Sequence, residues 1–211
     1  MIFVSGGALG ADSVWSYYGE QAGIKCYHLI GFGLNRPKGG SPERQAEQAS
    51  GKNVYLNYNQ HLHAVEELKK LDVEISGVKA SEYFKGSIST PKKLQARNYF
   101  QVTNGDQVLA IVPLVKGKPT GGTATAINVA IKLGKPVYIL NTEDCSWYTY
   151  TEGNFIKCGK PVLKERNTTI GSRTLVKYQT RVNGQWVDAP YIGEEKEAKI
   201  REMIKELINE D

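Results

Sequence analysis

A short apolar strand, a glycine turn and a helix follow one another twice in the sequence, and this order constrains the fold more than any other feature. Residues 2–5 predict a buried strand, 6–10 (GGALG) a tight turn, and 11–21 a helix. The order returns with a strand at 107–114, a glycine-rich loop at 116–122 and a helix at 123–133. A buried strand followed by a helix begins a parallel α/β unit, because the helix carries the chain back along one face of the sheet.

The other predicted elements extend this sheet and add a tail of different character. Strands are predicted at 25–30 and 136–140 and helices at 42–49, 60–70 and 91–100, with an irregular segment at 77–90. After Asn141, strands are predicted at 146–150, 154–157, 175–182 and 185–187, with a type I′ turn at Asn183-Gly184 and a last helix at 194–209. We therefore expect a Rossmann-like parallel sheet flanked by helices in 1–147. A β-rich extension with a C-terminal helix is expected in 148–211, packed on the same domain.

Composition excludes several classes of protein. The 211 residues are 40% hydrophobic and 23% charged, which predicts a folded core rather than a disordered chain. The net charge of +5 allows an anionic ligand, but it is not the dense basic stripe of a nucleic-acid-binding surface. Three widely spaced cysteines without a CxxC pair fit a reducing compartment. No basic n-region precedes the first strand and no apolar run approaches the ~20 residues that cross a bilayer, so we expect a soluble, cytoplasmic protein without membrane contact.

Both glycine turns have the chemistry of a phosphate-binding loop. Missing Cβ atoms let backbone N–H groups approach a phosphate, and the helix that follows points its positive end at it. Candidate ligand-binding residues are Ser5, Gly6, Gly7, Gly10, Asp12 and Ser13 at the first loop, and Gly121, Gly122, Thr123 and Thr125 at the second. Asp12 either caps the helix or faces a ribose hydroxyl. If the loops follow neighbouring strands, they meet in the ligand crevice of an open α/β sheet.

Three blocks of sequence resemble one superfamily. SGGALGADSVW at 5–15, RNYFQVTNGDQVLAI at 97–111 and GGTATAINVAIKLGKPVYIL at 121–140 are similar to the SMF/DprA–LOG (SLOG) superfamily of Rossmann-like proteins, over roughly residues 1–147. Its members include cytokinin-activating phosphoribohydrolases, nucleoside-phosphate N-glycosidases, a single-strand-binding DNA-processing protein, and sensors of NAD-derived signals in antiphage immunity. The resemblance implies a nucleotide-like ligand.

The resemblance also implies roles for individual residues. Arg97 would clamp a phosphate, and Asn98 and Gln101 would contact the base or sugar; the alternative for Arg97 is an ion pair with a surface acid. Hydrolytic members carry GGxGTxxE at the second loop, whereas here Ala124 replaces a glycine and Asn128 stands where the Glu would be. An amide can hydrogen-bond a ribose but cannot act as a nucleophile or general base, so the departure counts against hydrolysis.

Other side chains leave alternatives open. If the protein is an enzyme, the catalytic candidates are Asp12, Asp144 and His28, and Asp106 and Glu143 are further carboxylates. Trp15, Tyr17, Tyr18 and Tyr27 either stack on a base or belong to the core. His61 and His63 are two residues apart and point to different faces of a helix, so we predict no metal site, and no cofactor.

The leading hypothesis is a protein that captures or senses a phosphorylated nucleotide-derived small molecule. An ADP-ribose-like or cyclic nucleotide immune signal is the example considered, sequestered by a phage or mobile-element protein in antiviral defence signalling. The β-rich tail would then serve as a lid or as a contact in a homo-oligomer. The alternatives are a nucleoside-phosphate N-glycosidase or phosphoribohydrolase, and a single-stranded nucleic-acid-binding protein.

Overall fold

The computed structural model describes residues 1–35 and 52–209, so the predicted helix at 42–49 lies outside the described residues. The strands are β1 (Ile2–Ser5), β2 (Lys25–Ile30), β3 (Lys52–Tyr55), β4 (Glu74–Ile75), β5 (Val78–Lys79), β6 (Gln107–Val112), β7 (Leu114–Val115), β8 (Lys118–Pro119), β9 (Val137–Asn141), β10 (Ser146–Thr151), β11 (Asn154–Lys157), β12 (Arg166–Gly171), β13 (Gln179–Val182) and β14 (Gln185–Asp188). The helices are α1 (Ala11–Gln21), α2 (Tyr58–Lys70), α3 (Ala80–Tyr83), α4 (Thr90–Thr103), α5 (Gly121–Lys132) and α6 (Glu194–Ile208), with a 3₁₀ turn at Arg173–Leu175.

Eight strands form the central sheet, in the order β11-β10-β9-β6-β12-β1-β2-β3. The six strands from β9 to β3 pair in parallel, and β10 and β11 add an antiparallel edge. Two-stranded hairpins, β4–β5, β7–β8 and β13–β14, lie outside this sheet. The predicted class, a parallel α/β sheet flanked by helices with a β-rich extension and a terminal helix, is confirmed.

Helices cover both faces of the sheet, as the alternation along β6 shows. Leu109 and Ile111 belong to the core shared with α1 and α6, whereas Val108 and Ala110 belong to the core shared with α2, α4 and α5. All of β6 is buried, which explains its continuous apolar sequence. Among the described residues, no helix combines the length and the apolar character needed to cross a membrane.

The strand between β1 and β6 is β12, which the sequence analysis does not predict. Its central residues Asn167, Thr168 and Thr169 are polar but fully buried. Neighbours satisfy the side chains of Asn167 and Thr168: Gln107 donates to Asn167 Oδ1 (2.8 Å), and Thr168 Oγ1 donates to the carbonyl of Gln101 (2.6 Å). Gln101 donates to the backbone carbonyl of Thr169 (3.0 Å), whose Oγ1 has no partner among the described residues.

The position of β12 changes two expectations. The two glycine loops do not follow neighbouring strands, because β12 separates β1 from β6. The sheet also continues across the expected division at 147/148, since β10, β11 and β12 all belong to it. A segment from the tail therefore supplies a central strand, beside the region that carries the first glycine loop.

Several smaller elements differ from the predicted bounds. The strand expected at 175–182 is limited to Gln179–Val182, because the chain first forms the 3₁₀ turn that buries Leu175. The segment 77–90, expected to be irregular, contains β5 and the short helix α3. Asn183 and Gly184 have φ angles of 50° and 84°, as a type I′ turn requires, so the predicted hairpin is confirmed.

Candidate ligand-binding cleft

A cleft of about 330 Å³ opens at the carboxyl ends of β12 and β6, between α4 and the start of α5. We call it the first cleft. Its lining residues are Ala8, Asp12, Leu94, Gln95, Arg97, Asn98, Val112, Thr120, Gly121, Gly122, Thr123, Ile170, Gly171, Ser172 and Arg173. The sheet order changes direction at β12, with β1, β2 and β3 on one side and β6 and β9 on the other. Ligands of open α/β sheets bind at such a switch point.

The amides of the first glycine loop are engaged within the protein. Gly6 and Ala8 donate their N–H groups to Asp12 Oδ2 (3.1 and 3.2 Å), and Gly7 donates to Ser5 Oγ (3.1 Å). The Asp12 carboxylate thus takes the place at these amides that a phosphate was expected to take. The expectation that this loop presents its N–H groups to a ligand is not met in this structure.

The packing between β12 and α1 explains the glycine at position 10. Gly10 has a φ of 97°, and a Cβ there would lie 2.5 Å from the carbonyl oxygen of Ser172. The N–H of Ala11 donates to that same carbonyl (3.1 Å). The beginning of α1 is therefore bonded to the segment after β12, and a larger residue at position 10 has no room.

Arg97 explains the glycine at position 6. A Cβ on Gly6 would lie 1.5 Å from Nη1 of Arg97, so the guanidinium occupies the space that a side chain would fill. Arg97 is only 7% exposed, and its Nη1 donates to the carbonyl of Leu29 (3.3 Å). Its Nε has no hydrogen-bond partner among the described residues.

The charge of Arg97 is costly at this depth. Burial lowers its pKa, the Asp12 carboxylate raises it, and the neighbouring Arg173 lowers it again. The guanidinium nevertheless stays protonated, because arginine does not lose its proton in proteins. A buried cation with an unused donor is stabilised when an anion binds beside it.

The start of α5 supplies a second set of donors to the cleft. Thr120 is the N-cap residue and makes no side-chain capping bond, and the next three residues begin the helix. Gly121, Gly122 and Thr123 carry the first N–H groups of α5, which have no acceptor within the helix. This end of the helix carries a partial positive charge that favours an anion.

Asn98 joins α4 to the second loop. Its Nδ2 donates to the carbonyl of Gly122 (3.3 Å) and to Oε1 of Gln95 (3.1 Å), while its Oδ1 has no partner among the described residues. The amide is 4% exposed. An unsatisfied oxygen on the cleft wall can accept a hydrogen bond from a ligand hydroxyl or amino group.

The end of β12 contributes residues that the sequence analysis missed. Arg173 lines the cleft, is exposed, and forms no ion pair with any residue in 1–35 or 52–209. The signal was present: the β-branched residues at 168–170 are followed by Gly171 and Ser172, the same strand-then-glycine order found at the other two loops. Apolar patterning does not predict a strand there, because the centre of β12 is polar.

The structure sorts the predicted ligand-binding residues into three groups. Those that line the first cleft are Asp12, Arg97, Asn98, Gly121, Gly122 and Thr123. Those that do not line it are Ser5, Gly6, Gly7, Gly10, Ser13 and Gln101. Ser5, Gly7, Ser13 and Gln101 form hydrogen bonds within the protein. The missing Cβ atoms of Gly6 and Gly10 leave room for neighbouring groups. Thr125 and Asn128 line a different cavity, described below.

Of the catalytic candidates, only Asp12 lines the first cleft. His28 is fully buried, with Nδ1 2.7 Å from Ser5 Oγ. Asp144 accepts hydrogen bonds from Asn141 (2.8 Å) and Tyr148 (2.8 Å), away from both cavities. The further carboxylates pair elsewhere, Asp106 with Arg166 and Glu143 with Lys196.

The aromatic candidates for base stacking do not line the first cleft. Trp15 is fully buried and its ring lies edge-on to Phe3, which makes it a core residue. The rings of Tyr17 and Tyr18 contact each other, and Lys52 lies over the ring of Tyr27. Within the described part of the chain, no group of acidic, histidine and cysteine side chains is placed to hold a metal ion.

The second loop and α5 also border a larger cavity of about 980 Å³, which we call the second cleft. Asn128 lies there, with its Nδ2 3.4 Å from the carbonyl of Glu74. The position that corresponds to the Glu of the GGxGTxxE pattern is therefore in a different cavity from Asp12 and Arg97.

The first cleft thus combines two guanidinium groups, an uncapped helix start and one carboxylate that is bonded to its own loop. Such a site favours an anionic group with hydrogen-bonding neighbours. Comparison with known proteins adds nothing to this assignment, because no family model, no curated protein and no solved structure matches the chain significantly.

Proposed function

We propose that the first cleft binds a phosphorylated, nucleotide-derived small molecule, which the protein captures or senses. The observation that carries the proposal is the buried Arg97, with an unpartnered Nε, on the wall of a cleft that also contains the start of α5. Burying a guanidinium is costly unless an anion compensates it. A phosphoryl group can accept from Arg97, from Arg173 and from the first N–H groups of α5 together.

The remaining polar groups suit the rest of a nucleotide. Asn98 Oδ1 is an acceptor without a partner in the described residues, and Gln95 and Asp12 stand beside it on the same wall. These groups can bind ribose hydroxyls or the edge of a base. The resemblance of the three blocks to the SLOG superfamily supports a nucleotide over a simple phosphate, and an ADP-ribose-like or cyclic nucleotide immune signal belongs to this class.

The proposal assigns binding rather than cleavage to the site. Asp12 is the carboxylate among the described lining residues, and its Oδ2 accepts two amide hydrogen bonds from its own loop. These two bonds hold one carboxylate oxygen against its own loop. Hydrolysis of an N-glycosidic bond is the alternative, and it would draw on the same Asp12 carboxylate.

Calorimetric titration of the protein with a panel of nucleoside mono- and diphosphates and ADP-ribose tests the proposal. We expect at least one of these to bind, and Arg173→Gln to weaken it about ten- to a hundredfold, because a charge-assisted hydrogen bond to phosphate is lost. Arg173 is exposed, so its replacement should not unfold the protein. The matched control is Arg181→Gln, which removes an exposed arginine from the β13–β14 hairpin. Absence of binding across the panel, or equal binding by both variants, would contradict the proposed site.

A further inference from the structure

The second cleft lies along one side of α5 and is bordered by three hairpins. Residues 72–79 around β4 and β5, 116–119 around β7 and β8, and 150–155 between β10 and β11 supply its rim, and α5 supplies its floor from Ala124 to Lys132. At about 980 Å³ it has roughly three times the volume of the first cleft, at about 330 Å³. Both volumes lie near the range of roughly 300–1,000 Å³ typical of small-molecule sites.

Positive charge dominates the second cleft. Lys116, Lys118 and Lys132 line it and form no ion pair within the residues that the structure describes. Lys79 is neutralised by Asp72, with Nζ 2.7 Å from the carboxylate, which leaves Glu74 as the remaining acid on the rim. Three lysines opposed by one acid create a field that attracts an anion.

Aromatic and amide groups accompany these lysines. Tyr150 and Phe155 are half-buried, with ring centroids 5.3 Å apart, and both line the cavity. Asn128 and Asn154 provide amides on the same walls. Aromatic rings beside amides and cations can bind a planar base together with a charged group.

The two clefts meet at the start of α5. Thr120 and Gly121 line both of them, so the first N–H groups of this helix lie at the border between the cavities. The buried Arg97 and Asn98 stand on the first-cleft side of that border, each with a polar atom that has no partner in the described residues. The second cleft therefore adjoins the proposed phosphate site.

We infer that the ligand has two nucleoside-sized ends joined through phosphate, one end in each cleft and the linking phosphates at Thr120 and Gly121. This inference rests on the proposed function, because it takes the first cleft as the site of one end. A mononucleotide fills the smaller cleft and leaves the larger one, with its three lysines and two rings, without a ligand group. A dinucleotide-type molecule uses both.

The test compares AMP with two molecules that contain it, diadenosine pyrophosphate and NAD⁺, by calorimetric titration of the full chain. We expect a two-ended ligand to bind about ten times more tightly than AMP, because the second end adds contacts without a second loss of translational freedom. The double variant Lys118→Gln/Lys132→Gln should remove most of that gain and leave AMP binding within about twofold.

The matched control is Lys25→Gln/Lys164→Gln. It removes the same charge from exposed positions at the amino ends of the strands, at the start of β2 and just before β12. A gain that survives in Lys118→Gln/Lys132→Gln, or that falls equally in the control, would overturn the inference.

The outcomes separate this inference from the function on which it rests. If AMP and the two-ended ligands bind equally and Arg173→Gln weakens all of them, the first cleft is a nucleotide site and the second cleft has no part in it. If none of the three binds, this inference fails, and the panel of nucleoside phosphates and ADP-ribose decides whether the nucleotide assignment of the first cleft fails as well. Binding of single-stranded oligonucleotides in preference to the small ligands would also overturn the inference.

Discussion

Gly6 and Arg97 are in close contact, and the guanidinium of Arg97 fits only because position 6 has no side chain. The sequence presents Gly6 as part of a phosphate-binding turn, but its N–H donates to Asp12, and its missing Cβ is needed by the guanidinium of Arg97. The glycine therefore positions a cation instead of contacting an anion itself. A glycine in a predicted phosphate-binding turn can thus have a different role, because the missing Cβ lets any neighbouring group approach the backbone closely.

Gly6→Ala tests this relation. The added methyl group displaces the guanidinium, and we expect the free energy of unfolding to fall by about 1–3 kcal/mol, the usual cost of overpacking. Ligand affinity should fall with it, because Arg97 leaves its place on the cleft wall. Gly159→Ala is the control, since a Cβ there would meet nothing within 4 Å. Urea denaturation and calorimetry of both variants measure the effects, and unchanged stability in Gly6→Ala would contradict the assigned contact.

His61 gives the protein a pH-dependent stability. It is 3% exposed, its ring lies against Phe32, and burial and then the charge of Lys93 lower its pKa from the ordinary value of 6.5. The folded state then binds fewer protons than the unfolded state between the lowered pKa and 6.5, so stability is highest above pH 6.5 and falls as the pH drops through this interval.

Replacing His61 by Gln should flatten this dependence below pH 6.5. His63→Gln, on the same helix, should leave the contribution of His61 in place. Denaturation midpoints measured across that range for the parent and both variants provide the check. A parent protein whose stability rises on acidification, or a slope that persists unchanged in His61→Gln, would contradict the assignment.

At the scale of elements, the apolar pattern predicts most of the sheet and its helices, but it does not predict a strand whose buried residues are polar. The strands β1, β2, β6 and β9 and the helices α1, α5 and α6 follow from apolar runs and helical periodicity, and each is found near its predicted position. The strand β12 has no apolar run, because its buried centre is polar. The side chains of Asn167 and Thr168 are hydrogen-bonded to Gln107 and Gln101. Those partners lie about 60 residues away in the sequence, so local sequence patterns cannot show that these polar residues are buried.

The same limit applies to the candidate site. The sequence predicts that the glycines, Arg97 and Asn98 bind a ligand. Which of them line the first cleft depends on tertiary contacts. Ser172 and Arg173 reach the cleft only because β12 enters the sheet there, and Asn128 faces the second cleft because of the rotation of α5. Sequence spacing located the loops and could not determine which side chains share a wall.

The helix that carries Arg97 and Asn98 is held at its carboxyl end by Lys135. The ammonium group donates to the carbonyl oxygens of Val102 (2.9 Å), Thr103 (3.2 Å) and Gly105, at and just after the end of α4. A cation at this position compensates the negative end of the helix and satisfies carbonyls that have no partner within it.

Lys135→Met should therefore lower the free energy of unfolding by about 1–2 kcal/mol, since the lost hydrogen bonds are to a charged group. Lys199→Met is the control, because Lys199 is exposed on α6. Thermal denaturation of both variants under identical conditions measures the difference. Equal melting temperatures for the two variants would show that Lys135 does not stabilise α4.

At the scale of the whole molecule, the binding features gather around the start of α5. Three chain segments separated in sequence meet there: the Asp12 region, the Arg97 and Asn98 segment of α4, and the Ser172-Arg173 segment after β12. The second cleft adjoins them through Thr120 and Gly121. The tail beyond residue 147 therefore contributes to the sheet and to the proposed site.

The most direct test of the central claim is mass spectrometry of the small molecules that the purified protein retains. The protein is incubated with a mixture of nucleotides and NAD metabolites, separated from unbound material and denatured. We predict one intact phosphorylated nucleotide-type molecule in stoichiometric amount, lost in Arg173→Gln and retained in Arg181→Gln. Recovery of no nucleotide would contradict the proposed binding, and recovery of a free base with a ribose phosphate would show that the protein cleaves its ligand.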